Sequence, residues 1–194
     1  WMIVPVMDAY AKFLSSSMDV LQITWARYFF TVFFTLSLML IFYRQSLVWS
    51  KKPLLQLIRG LILVFSTYLF FYSISFISLP KALTLAFVAP LIVTALSPFF
   101  LKEKVGIRRW TAVSIGFIGT LIVIRPGFIE FNLATFAALG NGICYGFYLI
   151  LTRKLSSSDN PLLTLLFTGT VGAIILSLFM PSVWVNPTSN QWIM

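Results

Sequence analysis

Long stretches without a single charged side chain recur along this sequence. Three of them are Gly60–Pro80, Ala82–Leu101 and Phe131–Thr152, and no charged residue follows Asp159. A helix needs about 20 mostly apolar residues to cross a bilayer, and soluble proteins rarely contain several such stretches. About a quarter of the residues in a soluble domain are charged, whereas here 10% are charged and 59% are hydrophobic. We therefore predict that this chain folds inside a membrane.

The apolar segments predict helices rather than strands. A membrane-spanning strand is about 10 residues long and alternates polar with apolar side chains, which these segments do not. The predicted fold class is an all-α polytopic membrane protein with about seven transmembrane helices, of which we expect the first to be incomplete. The predicted helices are Trp1–Leu14, Val20–Tyr43, Pro53–Ile77, Pro80–Leu101, Arg108–Ile124, Phe131–Thr152 and Leu162–Met180.

Basic side chains are distributed unevenly between the two sides of the predicted bundle. The net charge is +9, from 14 Lys and Arg against 5 Asp and Glu. Ten basic residues lie in or beside the connections between helices two and three, four and five, and six and seven, which share one side. Such a bias marks the cytoplasmic side and indicates contact with the lipid bilayer rather than nucleic acid. Glu103 is predicted to pair with its basic neighbours there.

A short pattern occurs at the ends of helices one and six. In both copies a lysine is followed by one or two apolar residues, three serines and an aspartate, over Lys12–Asp19 and Lys154–Asp159. Five crossings separate the copies, so equivalent segments point in opposite directions through the bilayer. Inverted repeats of this kind are common in secondary transporters. The alternative is that serine-rich loops look alike by chance.

Five short motifs follow one another from helix two to the end of helix five. They are Trp25–Phe30, Arg59–Gly60, Leu79–Val105, Gly116–Gly119 and Ile124–Gly127. In this order and spacing they resemble the EamA-type permeases of the drug/metabolite transporter superfamily. The resemblance implies a ten-helix (5+5) carrier in the inner (plasma) membrane that moves small metabolites, often outward. It implies a first EamA-type repeat at residues 1–127 and the start of a second at residues 128–194.

Residue types that catalytic and metal sites need are scarce. The sequence has no histidine, one cysteine (Cys144) and one acid well inside a predicted helix, Asp8. ATP-driven pumping by this chain has no support, because the phosphate-binding pattern GxxxxGK[ST] is missing. We predict no catalytic residue, no metal ion and no cofactor. Transport would run on a gradient or by exchange, with alternating access to a polar path.

Three charged residues within apolar helices are candidates for binding a substrate. Asp8 and Lys12 share one face of helix one, where a charge at the helix centre costs about 2.5–3.5 kcal/mol on insertion scales. Asp8 is the acid suited to carry a proton, and Arg27 in helix two could bind an anionic group. Structural roles stay open: Lys12 reaching the interface while paired with Asp8, and Arg27 anchoring helix two beside Trp25 and Tyr28.

Helix four contains a proline that should distort it. Pro90 lacks the N–H that would bond the carbonyl of Ala86, so we expect a kink there. Thr84 and Phe87 lie about one turn earlier and could line the same substrate path. Proline is also common in membrane helices generally, so a role in packing alone stays open.

Polar and aromatic side chains form two stripes at helical spacing. The stripes could line an aromatic-walled cavity for a small-molecule substrate, or form helix seams whose polar groups bond each other. Two glycine pairs, Gly142 with Gly146 and Gly116 with Gly119, are predicted to permit close helix packing. The stripes consist of Tyr68, Tyr72 and Ser75 in helix three, and Asn141, Tyr145 and Tyr148 in helix six.

The function favoured by the sequence is a secondary transporter, a permease or exporter, for small organic metabolites. A membrane scaffold or assembly partner without a cavity is the first alternative. An intramembrane enzyme is the second, and the missing nucleophile–base and metal-ligand sets argue against it. Oligomeric state stays open, because small-residue motifs serve contacts in a homodimer as well as within one chain.

Overall fold

Helices make up most of the described chain. The computed structural model describes residues 3–42, 50–124, 132–156 and 159–187, and these ranges contain no β-strand. The predicted all-α class is confirmed. In chain order the helices are α1 (Ile3–Leu14), α2 (Val20–Phe42), α3 (Pro53–Phe76), α4 (Leu79–Ala86), α5 (Val88–Leu101), α6 (Ile107–Ile124), α7 (Leu133–Leu155), α8 (Pro161–Ser177) and α9 (Met180–Val183).

Four segments in the described ranges are long and apolar enough to cross a membrane: Val20–Ile41, Pro53–Phe76, Leu79–Leu101 and Leu133–Leu155. A fifth helix, α8, is apolar over 17 residues. Predicted and observed helix ends agree to within three residues wherever both are described. The predicted positions that lie outside the described residues are Trp1, Tyr43, Phe131, two serines of the second short pattern (157 and 158) and motif residues 125–127.

Both connections that carry the repeated serine pattern end in a helix cap. Asp19 accepts a hydrogen bond from the Leu21 amide at 2.7 Å, at the start of α2. Asn160 accepts one from the Leu162 amide at 3.0 Å, at the start of α8. Each cap satisfies a backbone donor that the helix leaves open, which explains where these two helices begin.

The helix predicted over Pro80–Leu101 is divided at Phe87. α4 ends at Ala86 and α5 begins at Val88, two residues before Pro90. Pro90 cannot bond the Ala86 carbonyl, so the helix is interrupted where that carbonyl lies. The predicted distortion is confirmed, although it takes the form of a break at Phe87 rather than a kink at Pro90.

The chain divides into two compact units. The first consists of Trp1–Val64 and Leu155–Met194, and the second consists of Phe65–Lys154. These units do not coincide with the predicted repeats at residues 1–127 and 128–194, since each unit contains helices from both repeats. The repeats therefore stay a prediction.

In the second unit, α7 approaches the break between α4 and α5 through two glycines. A Cβ atom on Gly142 would lie 3.0 Å from the Ala86 carbonyl oxygen, and one on Gly146 would lie 2.8 Å from the Ile92 side chain. A larger residue would force these helices apart, so the predicted packing role of Gly142 and Gly146 is confirmed. The contact places α7 against the carbonyl that Pro90 leaves without its helical donor.

In the first unit, α8 packs closely against α2. A Cβ atom on Gly172 would lie 2.5 Å from the Tyr28 ring, and one on Gly169 would lie 2.9 Å from the Val32 side chain. Gly60 permits a similar approach between α3 and α8. Glycines on α8 and α3 thus set how near these three helices come.

The second predicted glycine pair does not form a helix contact. Positions for a Cβ atom on Gly116 and Gly119 have no described atom within 4 Å. Ile115 and Ile122 on the same helix are each 70% exposed. In the part of the chain that the structure describes, the predicted close packing at this pair is not found, because the spacing of small residues does not by itself supply a partner helix.

Within each unit, connections predicted to share the cytoplasmic side meet. Ser50, before α3, donates a hydrogen bond to Asp159, before α8. Glu103, before α6, lies 2.9 Å from Arg153 at the end of α7 and 4.0 Å from Arg109. The predicted pairing of Glu103 is confirmed for Arg109, and Arg153 is an additional partner.

Replacing Gly172 with alanine should destabilise the protein, because the new methyl group overlaps the Tyr28 ring and overpacking costs about 1–3 kcal/mol. Gly119→Ala is the matched control: its methyl group meets open space, and alanine favours the helix by about 1 kcal/mol. Thermal unfolding in detergent would measure both variants. Equal melting temperatures would contradict this account of the packing.

Candidate functional site

Asp8 lies on the buried face of α1. Its side chain is 5% exposed, and Ala11 on the same face is also buried. On the opposite face, Val6, Tyr10 and Phe13 are 45–62% exposed. Ionisable side chains in membrane helices usually face the protein interior, because hydrocarbon does not solvate charge. The carboxyl group of Asp8 is therefore turned towards other helices.

Arg27 of α2 lies within electrostatic range of Asp8. Its charge acts on the Asp8 carboxyl group across the two helices. Lys12 follows Asp8 by one turn and is half-buried. Charges interact strongly where water is excluded, so this group of one acid and two bases could bind a ligand that carries both signs of charge. The spacing of Asp8 and Lys12 is visible in the sequence, whereas the partnership with Arg27 is not.

The aromatic residues beside Arg27 have different roles. Tyr28 is 3% exposed and packs on Gly172, so its ring faces α8 within the first unit. Trp25 donates from its indole nitrogen to the Ser177 hydroxyl at 2.8 Å and meets Trp184 edge to face at 5.7 Å. Trp25 therefore links the start of α2 to the end of α8 and to Trp184, which follows α9.

Asn141 takes part in a seam between α3 and α7. The Ser66 hydroxyl donates to its Oδ1 atom at 2.7 Å, and both side chains are buried. This is the seam arrangement that the sequence left open for Asn141. A role in binding substrate stays a prediction for this residue.

Two aromatic groups lie along the stripes of α3 and α7. The Tyr145 and Tyr148 rings stack with centroids 5.6 Å apart. Tyr72 lies 5.0 Å from Phe76 and 6.3 Å from Tyr68. All four tyrosines are half-buried. Rings of this kind can stack on a planar ligand while their hydroxyl groups bond its polar edge.

Two predicted hydroxyl groups are bonded within their own helices. Ser75 donates to the Phe71 carbonyl at 2.9 Å, and Thr84 donates to the Pro80 carbonyl at 2.6 Å. Each hydroxyl retains lone pairs, so in this conformation it offers an acceptor to a ligand. Phe87, at the helix break, is 59% exposed.

The predicted binding residues fall into two sets, one in each unit. The first unit holds the charged set, Asp8, Lys12 and Arg27. The polar and aromatic set belongs to the second unit. Its members are Tyr72, Ser75, Thr84, Phe87, Pro90, Asn141, Tyr145 and Tyr148.

A further polar cluster, which the sequence analysis missed, joins α3 to α8. The Gln56 amide donates to Asp159 at 2.8 Å and to the Thr164 hydroxyl at 3.1 Å. Arg59, 1% exposed, donates to the Thr164 carbonyl at 2.6 Å and to the Thr168 hydroxyl. These bonds compensate part of the cost of burying a charge.

Two pairs of polar residues at helical spacing could have indicated this cluster from the sequence. Gln56 and Arg59 are three residues apart, and Thr164 and Thr168 are four apart, so each pair shares one helix face. Polar pairs in otherwise apolar helices indicate that the faces meet polar partners. The identity of the partner cannot be derived from spacing, since Arg59 and Thr164 are 105 residues apart.

Asp159 lies in the connection before α8 and accepts hydrogen bonds from Ser50 and from Gln56 of this cluster. Partial burial opposes its ionisation, but hydrogen bonds from Ser50, Gln56 and the Lys51 amide outweigh that effect, and the Lys51 charge adds to them. Together they hold the pKa of the Asp159 carboxyl below its ordinary value. The cluster therefore favours the ionised carboxylate.

Acidification should weaken the contribution of Asp159 to stability. Its pKa is lower in the folded than in the unfolded chain, so the contribution is complete above the ordinary pKa of about 3.9 and is lost as pH falls through the folded-state value. Melting temperatures of the wild type and Asp159→Asn, measured in detergent from pH 6 to pH 3, should converge at low pH. A constant difference would contradict this role.

The chain matches a known family and several curated transporters. Residues 3–125 match the EamA-like transporter family. The S-adenosylmethionine uptake transporter of Rickettsia bellii (strain RML369-C) is 24% identical over 181 residues, 93% of this chain and 62% of that protein. The riboflavin transporter of Vibrio cholerae is 33% identical over 107 residues, 55% of this chain and 36% of that protein. The uncharacterized transporter YxxF of Bacillus subtilis is 28% identical over 156 residues, 75% of this chain and 49% of that protein.

These comparisons confirm the resemblance found in the sequence. The chain spans 62% of the length of the S-adenosylmethionine transporters it matches. No solved structure matches it significantly. The family match covers well over half of the chain, and four described segments can cross a membrane, so this is a multi-pass membrane protein. The chain belongs to the EamA-like transporter family.

Proposed function

We propose that the protein is a secondary transporter for small organic metabolites and not an enzyme. The observation that carries the proposal is the buried carboxyl group of Asp8 in an apolar helix. Charged groups are costly inside a membrane protein, and they occur there mainly on substrate, ion or proton paths. Family membership and the transporter names of the relatives support the proposal.

The proposed mechanism is alternating access between two inverted five-helix repeats, driven by a gradient or by exchange. The first repeat is assigned to residues 1–127 and the start of the second to residues 128–194. The extent of the family match, residues 3–125, supports the first boundary. The bacterial relatives support a location in the inner (plasma) membrane.

The substrate class we propose is a planar nitrogen heterocycle with polar or charged substituents. S-adenosylmethionine and riboflavin, the compounds that name two relatives, both contain such a ring and a hydroxylated, sugar-derived group. In the first unit, Asp8 and Arg27 suit an ammonium and a carboxylate group. The half-buried tyrosines of the second unit form a separate set, and their rings suit stacking on a planar group. Asp8 is also the proposed proton carrier.

A scaffold or assembly partner is less well supported. Such a protein would gain stability from an apolar side chain at position 8, since burying a carboxyl group away from water is costly. A homodimer, which the glycine motifs left open in the sequence, stays a prediction.

Transport should depend on Asp8 and Arg27. In proteoliposomes of the full-length protein, uptake of radiolabelled S-adenosylmethionine or riboflavin should fall about tenfold or more in Asp8→Asn and Arg27→Gln. A charge-assisted hydrogen bond contributes about 1.5–3 kcal/mol, which corresponds to at least a tenfold effect.

Two exposed residues supply matched controls. Asp19→Asn removes an acid but keeps a side chain that can cap α2, and Lys81→Gln removes a base from the start of α4. Both should transport at wild-type rates. Unchanged flux in Asp8→Asn and Arg27→Gln would overturn the site, and wild-type vesicles that move neither compound would count against the proposed substrate class.

A further inference from the structure

One carboxylate joins two helices at the predicted cytoplasmic side of the second unit. α5 ends at Leu101, and the next residue, Lys102, turns the chain into the connection before α6 through its left-handed backbone (φ 54°, ψ 30°). The next residue, Glu103, lies 2.9 Å from Arg153 of α7 and 4.0 Å from Arg109 of α6. Glu103 therefore forms ion pairs with guanidinium groups from two different helices.

The surroundings of Glu103 carry a large positive excess. The segments 102–109 and 153–154 contain six basic residues and one acid. Lys102, Lys104, Arg108 and Lys154 are exposed, and the paired side chains of Glu103, Arg109 and Arg153 remain 38–48% exposed. The six basic residues and one carboxylate give this cluster a net charge of +5. This positive charge favours the binding of anions from outside the chain.

Large apolar side chains are exposed beside the same cluster. Phe99 near the end of α5 is 79% exposed, Ile107 at the start of α6 is 76% exposed and Trp110 is 39% exposed. Tryptophan is enriched at the depth of lipid head groups. A ligand that meets both the cations and these side chains must carry a negative head and an apolar tail.

We propose that Arg109 and Arg153, held together by Glu103, form a binding site for the head group of an anionic phospholipid. Guanidinium groups bind phosphate through paired hydrogen bonds, and basic pockets between helices on the cytoplasmic side suit anionic lipids. The neighbouring lysines add attraction, and Phe99, Ile107 and Trp110 contact the acyl chains. The site is separate from the proposed substrate-binding residues and does not depend on the transport activity.

The test is lipid binding to the purified full-length protein, measured by native mass spectrometry. Dioleoyl-phosphatidylglycerol should bind about tenfold or more tightly than dioleoyl-phosphatidylcholine. The double variant Arg109→Gln/Arg153→Gln should lose this preference, because each basic residue near a membrane surface contributes several-fold to affinity. Free glycerol phosphate should not compete, since it lacks acyl chains. Competition would mean that the site takes free phosphate esters instead.

Two further variants separate a built site from general attraction by charge. Lys51→Gln/Lys52→Gln removes the same charge from exposed positions in the first unit and should keep the preference. Glu103→Gln makes the cluster more positive, so general attraction predicts tighter binding. The site predicts weaker binding, because the two arginines are no longer held together. Equal losses in both double variants, or tighter binding by Glu103→Gln, would overturn the proposal.

Discussion

Hydrocarbon offers no hydrogen-bond partner, so the polar groups buried in this chain must bond one another. The backbone groups of each helix form hydrogen bonds within that helix, and polar side chains form the hydrogen bonds between helices. Gln22 shows this most directly: its amide nitrogen donates to the Val185 carbonyl at 2.7 Å, and the Val185 amide donates back to its oxygen at 3.1 Å. Arg59 and Ser66 make comparable bonds to α8 and α7.

Close approach between helices makes these bonds geometrically accessible. α8 comes near α2 because Gly169 and Gly172 have no side chain, and at its two ends it is bonded by Trp25 and by Arg59. Apolar attraction between helices is weak in lipid, where the tails are as apolar as leucine. Small residues and polar bonds are therefore the interactions that fix the position of α8 within the first unit.

The helices could be predicted from the sequence, because apolar length and end signals are local properties. The start of α8 after Asn160 and the distortion before Pro90 are examples. Contacts between helices could not be derived in the same way. Gly119 and Gly146 look alike in sequence, yet only Gly146 of these two has a helix beside it. Asp8 and Asn141 were recognisable as unusual residues, but their partners Arg27 and Ser66 were not, because nothing local specifies which helices meet.

The two proposed repeats should cross the membrane in opposite directions, as expected of a carrier with alternating access. Ser16 and Ser156 lie in the two serine runs of the repeated pattern and are both exposed. In full-length protein with Cys144→Ser, single Ser16→Cys and Ser156→Cys variants can be labelled in intact cells with a membrane-impermeant maleimide. Inverted repeats predict labelling of Ser16→Cys from outside and of Ser156→Cys only after the membrane is opened. Labelling of both from the same side would contradict this topology.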